Sequence, residues 1–277
     1  MATVNRPVRI LELRSVWGTG GGPEKTILMS AAMADVPQVR VTVCYLRDRR
    51  DDVFGIDRKA AGIDIDYVEV IERNSFDWRI WPQLKQLVRD RQIDLVHSHD
   101  YKTNLLALLL SRSTGVRALS TVHGWTGHSA RERHFYYPFD KRVLARFPRL
   151  IAVSTDIANE LIRHGAKQTS VTVVLNAIDH RIFKRDAGRT AAARAALGLA
   201  DGDLAIGAVG RLEPQKRFDL LLQAFAAYRQ EQPRARLLIV GDGSLRAALD
   251  ERRVALNLGD TCNLCSNERK ISFCRSR

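Results

Sequence analysis

Two cations five residues apart, Arg211 and Lys216, stand where a strand gives way to a helix. A buried-type strand, Leu204 to Val209, runs into Gly210, and a helix opening Phe218-Asp219-Leu220-Leu221 follows the second cation. Arginine presents a planar fork matched to phosphate oxygens, and lysine adds a compact point charge. A glycine between strand and cations lets a ligand approach the backbone closely. The arrangement suits a grip on a diphosphate at the carboxyl end of a parallel sheet. Gly241-Asp242-Gly243 follows the next strand, Leu237 to Val240, and suits a tight turn or a ligand contact at the same sheet edge.

The N-terminal part holds a second group of candidates. Gly18-Thr19-Gly20-Gly21-Gly22-Pro23 follows the first apolar strand and precedes a helix. Such a loop offers backbone N–H groups and a positive helix end to an anion, although a tight strand-to-helix turn needs the same glycines. It is not a phosphate-binding P-loop, because Glu24 precedes Lys25 where that motif has Gly, and Pro23 breaks the dinucleotide fingerprint. That disfavours an NAD-dependent oxidoreductase. His123-Gly124-Trp125 ends a later strand, placing an imidazole at the ligand edge and an indole able to stack on a sugar. His97-Ser98-His99-Asp100 has a metal-like His-x-His spacing. No matching ligand set follows at later strand ends, so His99 and Asp100 are read as organising the loop before the next helix. Asn176 closes the last N-terminal strand. Asp64-x-Asp66 lies early in a β-like stretch and is read as coincidence. Cys262-x-x-Cys265 has zinc-like spacing, but only Cys274 follows, and four ligands are needed. No metal is expected.

Those residues need elements to carry them. Short apolar strands are expected at Val8–Leu13, Val39–Leu46, Ile63–Val70, Asp94–His97, Val116–Val122, Leu150–Val153 and Val171–Leu175, with helices between. The Arg131–Arg146 helix is basic and contains Pro138. Alternation of this kind predicts an α/β fold with parallel, doubly wound sheets. A second alternating unit begins at Leu204, with strands 204–209 and 236–240 and helices 216–231 and 244–257. The expected organisation is residues 1–178 as one Rossmann-like domain, 179–200 as linker and first helix, and 201–260 as a partial second domain. Residues 261–277 are expected to be an aberrant, disordered tail, left where the natural continuation is missing, for example through a frameshift.

The chain of 277 residues carries a formal net charge of +13. That balance is read first as solvated faces of an arginine-rich protein, and second as attraction to anionic membrane surfaces or phosphorylated substrates. No nucleic-acid reading motif accompanies the charge, so nucleic acid is not an expected partner. No apolar run reaches the roughly 18 residues that span a bilayer, and the N-terminus lacks a signal-peptide pattern. A cytoplasmic protein is expected, peripheral at most to the inner face of a plasma membrane.

The combination GGPEK (21–25), VHSHDYKTN (96–104), STVHGW (120–125), LIAVST (150–155), VVLNAID (173–179), VGRLEPQKRFDLLLQAF (209–225) and LLIVGDGSLR (237–246) resembles the family 4 retaining glycosyltransferases of the GT-B fold. The resemblance covers residues 8 to about 260. It implies two Rossmann-like domains flanking a cleft, an acceptor side at the N-terminus and a nucleotide-sugar donor side at the C-terminus. By the same resemblance, Gly21 and Gly22 join Arg211 and Lys216 on the donor diphosphate, and His123, near the transferred sugar, is the catalytic candidate. Gly20, His99 and Trp125 are expected on the acceptor or sugar side, with Gly210, Asn176 and Gly241 as further site candidates. It further implies transfer with retention and without a metal, to a lipid-linked or cell-surface glycan in bacterial envelope or polysaccharide assembly. The family's Asn-Gly-Ile-Asp reads Asn176-Ala177-Ile178-Asp179 here, and its Lys-Gly reads Lys216-Arg217. Asp260 and Glu268 have the eight-residue spacing of the family's paired glutamates but lack its strand-loop-helix context, and the match is read as chance. This chain alone is therefore expected to have little or no activity. A non-catalytic binding remnant and a sugar-nucleotide epimerase of the same fold remain the rival readings.

Overall fold

The computed structural model describes residues 6–34, 37–125, 130–178, 180–181 and 184–265. The chain divides into two compact units, Met1–Ile178 and Asp179–Arg277.

In the first unit the elements run β1 (Val8–Ser15), α1 (Gly22–Met33), β2 (Val39–Asp48), α2 (Ile56–Ala60), β3 (Asp66–Glu72), α3 (Ile80–Asp90), β4 (Leu95–Ser98), α4 (Tyr101–Thr114) and β5 (Arg117–Val122). A π-helical turn (Glu132–Tyr136), α5 (Tyr137–Leu144), β6 (Arg149–Ala152), α6 (Thr155–Arg163) and β7 (Val171–Val173) follow. Among the described residues the sheet order is β3-β2-β1-β4-β5-β6-β7, every neighbouring pair parallel. The order reverses beside β1, so the connections leaving β1 and β4 run to opposite sides and open a crevice at the carboxyl ends of the two strands.

The basic helix expected over 131–146 is divided. Pro138 sits in the first turn of α5, where its missing N–H costs nothing. Sheet faces are covered on both sides. One core gathers Leu11, Leu13, Val96, Leu106, Leu110 and Leu150. The other packs Ile27 and Leu28 of α1 against Val43 and Tyr45 of β2. Asp66, half of the acidic pair, accepts hydrogen bonds from Arg91 and Thr42.

In the second unit, α7 (Ala187–Ala196), β8 (Leu204–Val209), α8 (Phe218–Glu231), β9 (Ala235–Val240), α9 (Arg246–Ala255) and β10 (Cys262–Cys265) form a parallel sheet in the order β10-β9-β8. Its core is Leu212, Phe218, Leu222, Leu237, Ile239, Leu249 and Cys262.

Two expectations change here. β8 is not a buried strand: it lies at the sheet edge, and Val209 is 77% exposed. The segment from 261 is not without structure, because Cys262–Cys265 pairs in register with Leu237–Val240 and buries Cys262 completely. Backbone pairing with β9 supplies the order that the short, partly polar run CNLC does not announce. Burial pushes the Cys262 thiol up to about 11, which opposes the thiolate that a metal would need. Residues 266–277, including Glu268 and Cys274, lie outside the described residues.

Candidate functional site

The first cluster sits at the carboxyl ends of β1, β4 and β5. Glu12 on β1 lies opposite His97 on β4 in the parallel ladder, so both project to one face. The Glu12 carboxylate meets His97 Nδ1 at 3.0 Å and His99 Nε2 at 2.5 Å. His97 Nε2 reaches Thr121 Oγ1 of β5 at 2.7 Å, and His99 Nδ1 reaches His123 Nε2 at 3.2 Å. Burial alone would raise the Glu12 carboxyl, but the two imidazoles outweigh it and hold it well below the usual carboxylate range. His123 is pushed down to about 3, by burial first and then by His99 and Arg14, so it is neutral near neutral pH. One oxygen of Glu12 and one nitrogen from each of His97 and His99 lie within 4.8 Å of one another. The His-x-His pair therefore does have a carboxylate, on β1 rather than at a later strand end. Its hydrogen bonds occupy the same atoms that a cation would take.

The glycine loop is pinned by side chains. Asp51 accepts the Gly18 N–H at 2.6 Å, and Lys59 donates to the Thr19 carbonyl. Glu24, buried, accepts the Gly21 N–H and an Arg14 Nε–H at 2.9 Å. Arg14 in turn donates to the His99 carbonyl at 2.5 Å, tying the loop to the histidines. Two of the loop's amides are thus held by carboxylates of the chain, and a bound phosphate must use others. Gly20 has φ +65°, and a Cβ there would meet Glu24 Cγ at 2.4 Å, so only glycine fits. A Cβ on Gly22 would meet nothing within 4 Å.

Asp100 accepts from the N–H groups of Ser15, Lys102 and Thr103, joining the end of β1 to the start of α4. That is the loop-organising role expected of it. Trp125 is partly buried against the core, its Nε1 donating to Asp140 at 3.0 Å and its ring lying 4.8 Å from Lys141 Nζ. A sugar would have to use the ring's other face. Asn176 is exposed just beyond β7, and Asp179 lies outside the described residues.

Asp140, which the motifs did not flag, is 4% exposed and accepts from Asn104 and Trp125. Burial raises its carboxyl from 3.8 to about 6, against the pull of those two donors. Through that window the folded chain holds a proton that the unfolded chain has lost. Stability therefore falls as pH rises through it, and levels off above. Relative to Asp140→Asn, the wild type is expected to lose on the order of 3 kcal/mol across this window. Urea melts at several pH values, followed by tryptophan fluorescence, check it: Trp17, Trp78, Trp81 and Trp125 all belong to the first unit.

The second cluster is built on β8 and β9. Arg211 and Lys216 are both exposed, and neither side chain has an ion-pair partner among the described residues. Lys216 passes over Gly210, where an added Cβ would lie 4.0 Å from Lys216 Cδ. The loop carrying the cations is fixed by the loop after β9. Gly210 N donates to Val240 O at 3.0 Å, Leu212 N to Asp242 O at 2.9 Å, and Leu245 N to Leu212 O at 3.0 Å. Ser244 donates through N and Oγ to Glu213, at 3.1 and 2.8 Å. Arg217, where the resemblance expects glycine, has φ +50° and pairs with Asp219 at 3.1 Å. A left-handed non-glycine residue costs about 1 kcal/mol. A cavity of about 990 Å³ opens at the opposite, amino ends of β4 and β5, lined by Asp94, Leu95, Arg117 and Arg149. Ligands of parallel sheets bind at the carboxyl edge, so the two clusters, each within its own unit, and not this cavity are the candidate sites.

Comparison with known proteins agrees with this geometry. The D-inositol 3-phosphate glycosyltransferase of Nocardia farcinica is 27% identical over 249 residues, covering 82% of this chain and 54% of that protein. The Segniliparus rotundus protein of the same name is 31% identical over 159 residues, 54% of this chain and 35% of its own length. The chain thus spans about half or less of these relatives. The crystal structure of Anabaena Alr3699/HepE in complex with UDP superposes with a TM-score of 0.78 at 19% identity, over 96% of this chain and 71% of that one. That likeness shows the fold, the GT-B type. The profile for Glycosyl transferases group 1 matches residues 190–272, which hold the Arg211 and Lys216 cluster. The profile for Glycosyltransferase Family 4 matches residues 20–181, the glycine loop, the histidines and more than half of the chain; by that match the chain belongs to glycosyltransferase family 4.

Proposed function

We propose that this chain takes part in moving a sugar from a nucleotide-sugar donor to a lipid-linked or cell-surface glycan, with retention, in bacterial envelope or polysaccharide assembly. The observation that carries the reading is the exposed pair Arg211 and Lys216 after β8, neither with an ion-pair partner among the described residues, Lys216 passing over Gly210. Two such cations at a sheet's ligand edge fit a dianionic leaving group and supply its charge stabilisation without a metal. The donor's bond from anomeric carbon to phosphate oxygen breaks. The acceptor hydroxyl attacks from the same face, and its proton passes to the departing phosphate oxygen. His123 serves the sugar. UDP and UDP-glucose in structures of Anabaena HepE support the donor class.

No helix among the described residues is long and apolar enough to cross a membrane. Phe135 and Phe139 are 71% and 51% exposed, one helical turn apart, among exposed Arg131, Arg133, Arg142 and Arg146. Aromatic side chains ringed by cations fit contact with an anionic bilayer, at the cytoplasmic face where a lipid-linked acceptor would lie.

The test is prolonged incubation with radiolabelled UDP-sugars and acceptor lipid in anionic vesicles. Weak, acceptor-dependent release of UDP, with the anomeric configuration retained in the product, is expected. Isomerised nucleotide-sugar formed without acceptor would replace this reading with an epimerase. Release of neither product by a chain that also fails to bind UDP would overturn it.

A further inference from the structure

The buried cluster behind His123 contains more machinery than the proposed function uses. Glu12 is a charged residue between Leu11 and Leu13 in an interior strand of a covered sheet, and only 9% of it is exposed. A carboxylate so placed survives only with its oxygens satisfied. Here two imidazoles on β4 and its following loop do so, at 3.0 and 2.5 Å.

That contact fixes protons further along. An ionised carboxylate only accepts, so His97 must carry its hydrogen on Nδ1 and His99 on Nε2. A neutral His97 then presents Nε2 as an acceptor, and Thr121 Oγ1 at 2.7 Å is a hydroxyl able to donate to it. A neutral His99 presents Nδ1 as an acceptor, so its contact with His123 at 3.2 Å is satisfied only if His123 donates from Nε2. The remaining nitrogen of His123, Nδ1, is left as a lone pair. One assignment satisfies all four contacts with a single negative charge.

We propose that Glu12 and His99 are positioning residues that lock His123 in the Nε2–H tautomer, so that its Nδ1 accepts a hydrogen bond from a ligand hydroxyl and repels an anion. Burial keeps His99 below the ordinary imidazole range against the pull of Glu12, and burial, then His99 and Arg14, do so for His123, consistent with the neutral forms that the geometry requires. The proposal rests on the reading of His123 as the sugar-side residue; the tautomer itself does not.

The experiment is nitrogen-15 NMR of the full chain labelled at histidine, near neutral pH, with resonances assigned by single histidine substitutions. In the wild type, Nδ1–H is expected for His97, and Nε2–H for both His99 and His123. Glu12→Leu should convert His99 and His123 to a tautomer mixture, whereas Thr121→Val should leave both unchanged. A second readout is turnover of a UDP-sugar. In Glu12→Leu it should fall about tenfold, the worth of one lost hydrogen bond, with UDP affinity unchanged. His123 found as Nδ1–H or as a mixture in the wild type would overturn the proposal even if every variant failed to fold. So would one equivalent of zinc retained through dialysis, because Glu12, His97 and His99 would then be ligands. Absence of any turnover in the wild type, with the tautomers as stated, would remove the sugar-transfer reading and leave the proton assignment standing.

Discussion

Gly241→Ala is expected to cost the second unit about 3 kcal/mol or more, a large share of the 5–15 kcal/mol that holds a typical domain together. A Cβ on Gly241 would stand 1.8 Å from the Gly210 carbonyl oxygen, and its next neighbours, Gly210 C and N, are backbone too. Gly243 is similarly closed, with Leu212 O at 2.5 Å from its added Cβ. Backbone cannot rotate away as a side chain can. The two turns would have to part, breaking the bonds from Gly210 N to Val240 O and from Leu212 N to Asp242 O. Gly207→Ala on β8 is the control, because its Cβ meets nothing within 4 Å. Amide hydrogen exchange of β8 and β9 checks the pair: protection should collapse in Gly241→Ala and persist in Gly207→Ala. Equal protection in both would mean that the turns are not locked together. On this account Gly241 acts through packing, setting the loop that carries the cations, rather than by touching a ligand.

Arg211→Ala is expected to weaken nucleoside diphosphate binding ten- to a hundredfold. Hydrogen bonds to charged groups are worth about 1.5–3 kcal/mol, and about 1.4 kcal/mol is a factor of ten. The loss should be larger than for Lys216→Ala, because the guanidinium can make two parallel bonds to phosphate and the ammonium acts as a point charge. Both side chains are exposed, so neither substitution removes a core contact, and unfolding should be unchanged. Binding lost together with stability would point to a packing role instead.

Much of this was legible in the residues because parallel α/β elements announce themselves locally. Val39–Asp48 and Ala235–Val240 are apolar runs between turn residues, and the amphipathic spacing of Ile80, Leu84 and Val88 marks a helix face. What was hidden depended on partners far away in sequence. Cys262–Cys265 is a strand because β9 offers it a ladder, not because its own residues favour one. Glu12 was overlooked because its meaning comes from His97 and His99, 85 and 87 positions away. A lone charge inside the run Leu11-Glu12-Leu13 was the available signal. The exposure of Val209 was equally invisible, since an apolar strand reads the same at an edge as at the centre. Trp125 was visible as an aromatic beside His123, but its engagement with Asp140 and Lys141 belongs to a helix that follows it.

The central claim is that Arg211 and Lys216 hold a diphosphate, and calorimetric titration of the chain with UDP tests it most directly. The account predicts one site per chain, with uridine alone binding far more weakly than UDP. It further predicts that the double variant Arg211→Ala/Lys216→Ala loses at least tenfold in UDP affinity while unfolding as the wild type does. UDP bound equally well by the double variant would contradict it.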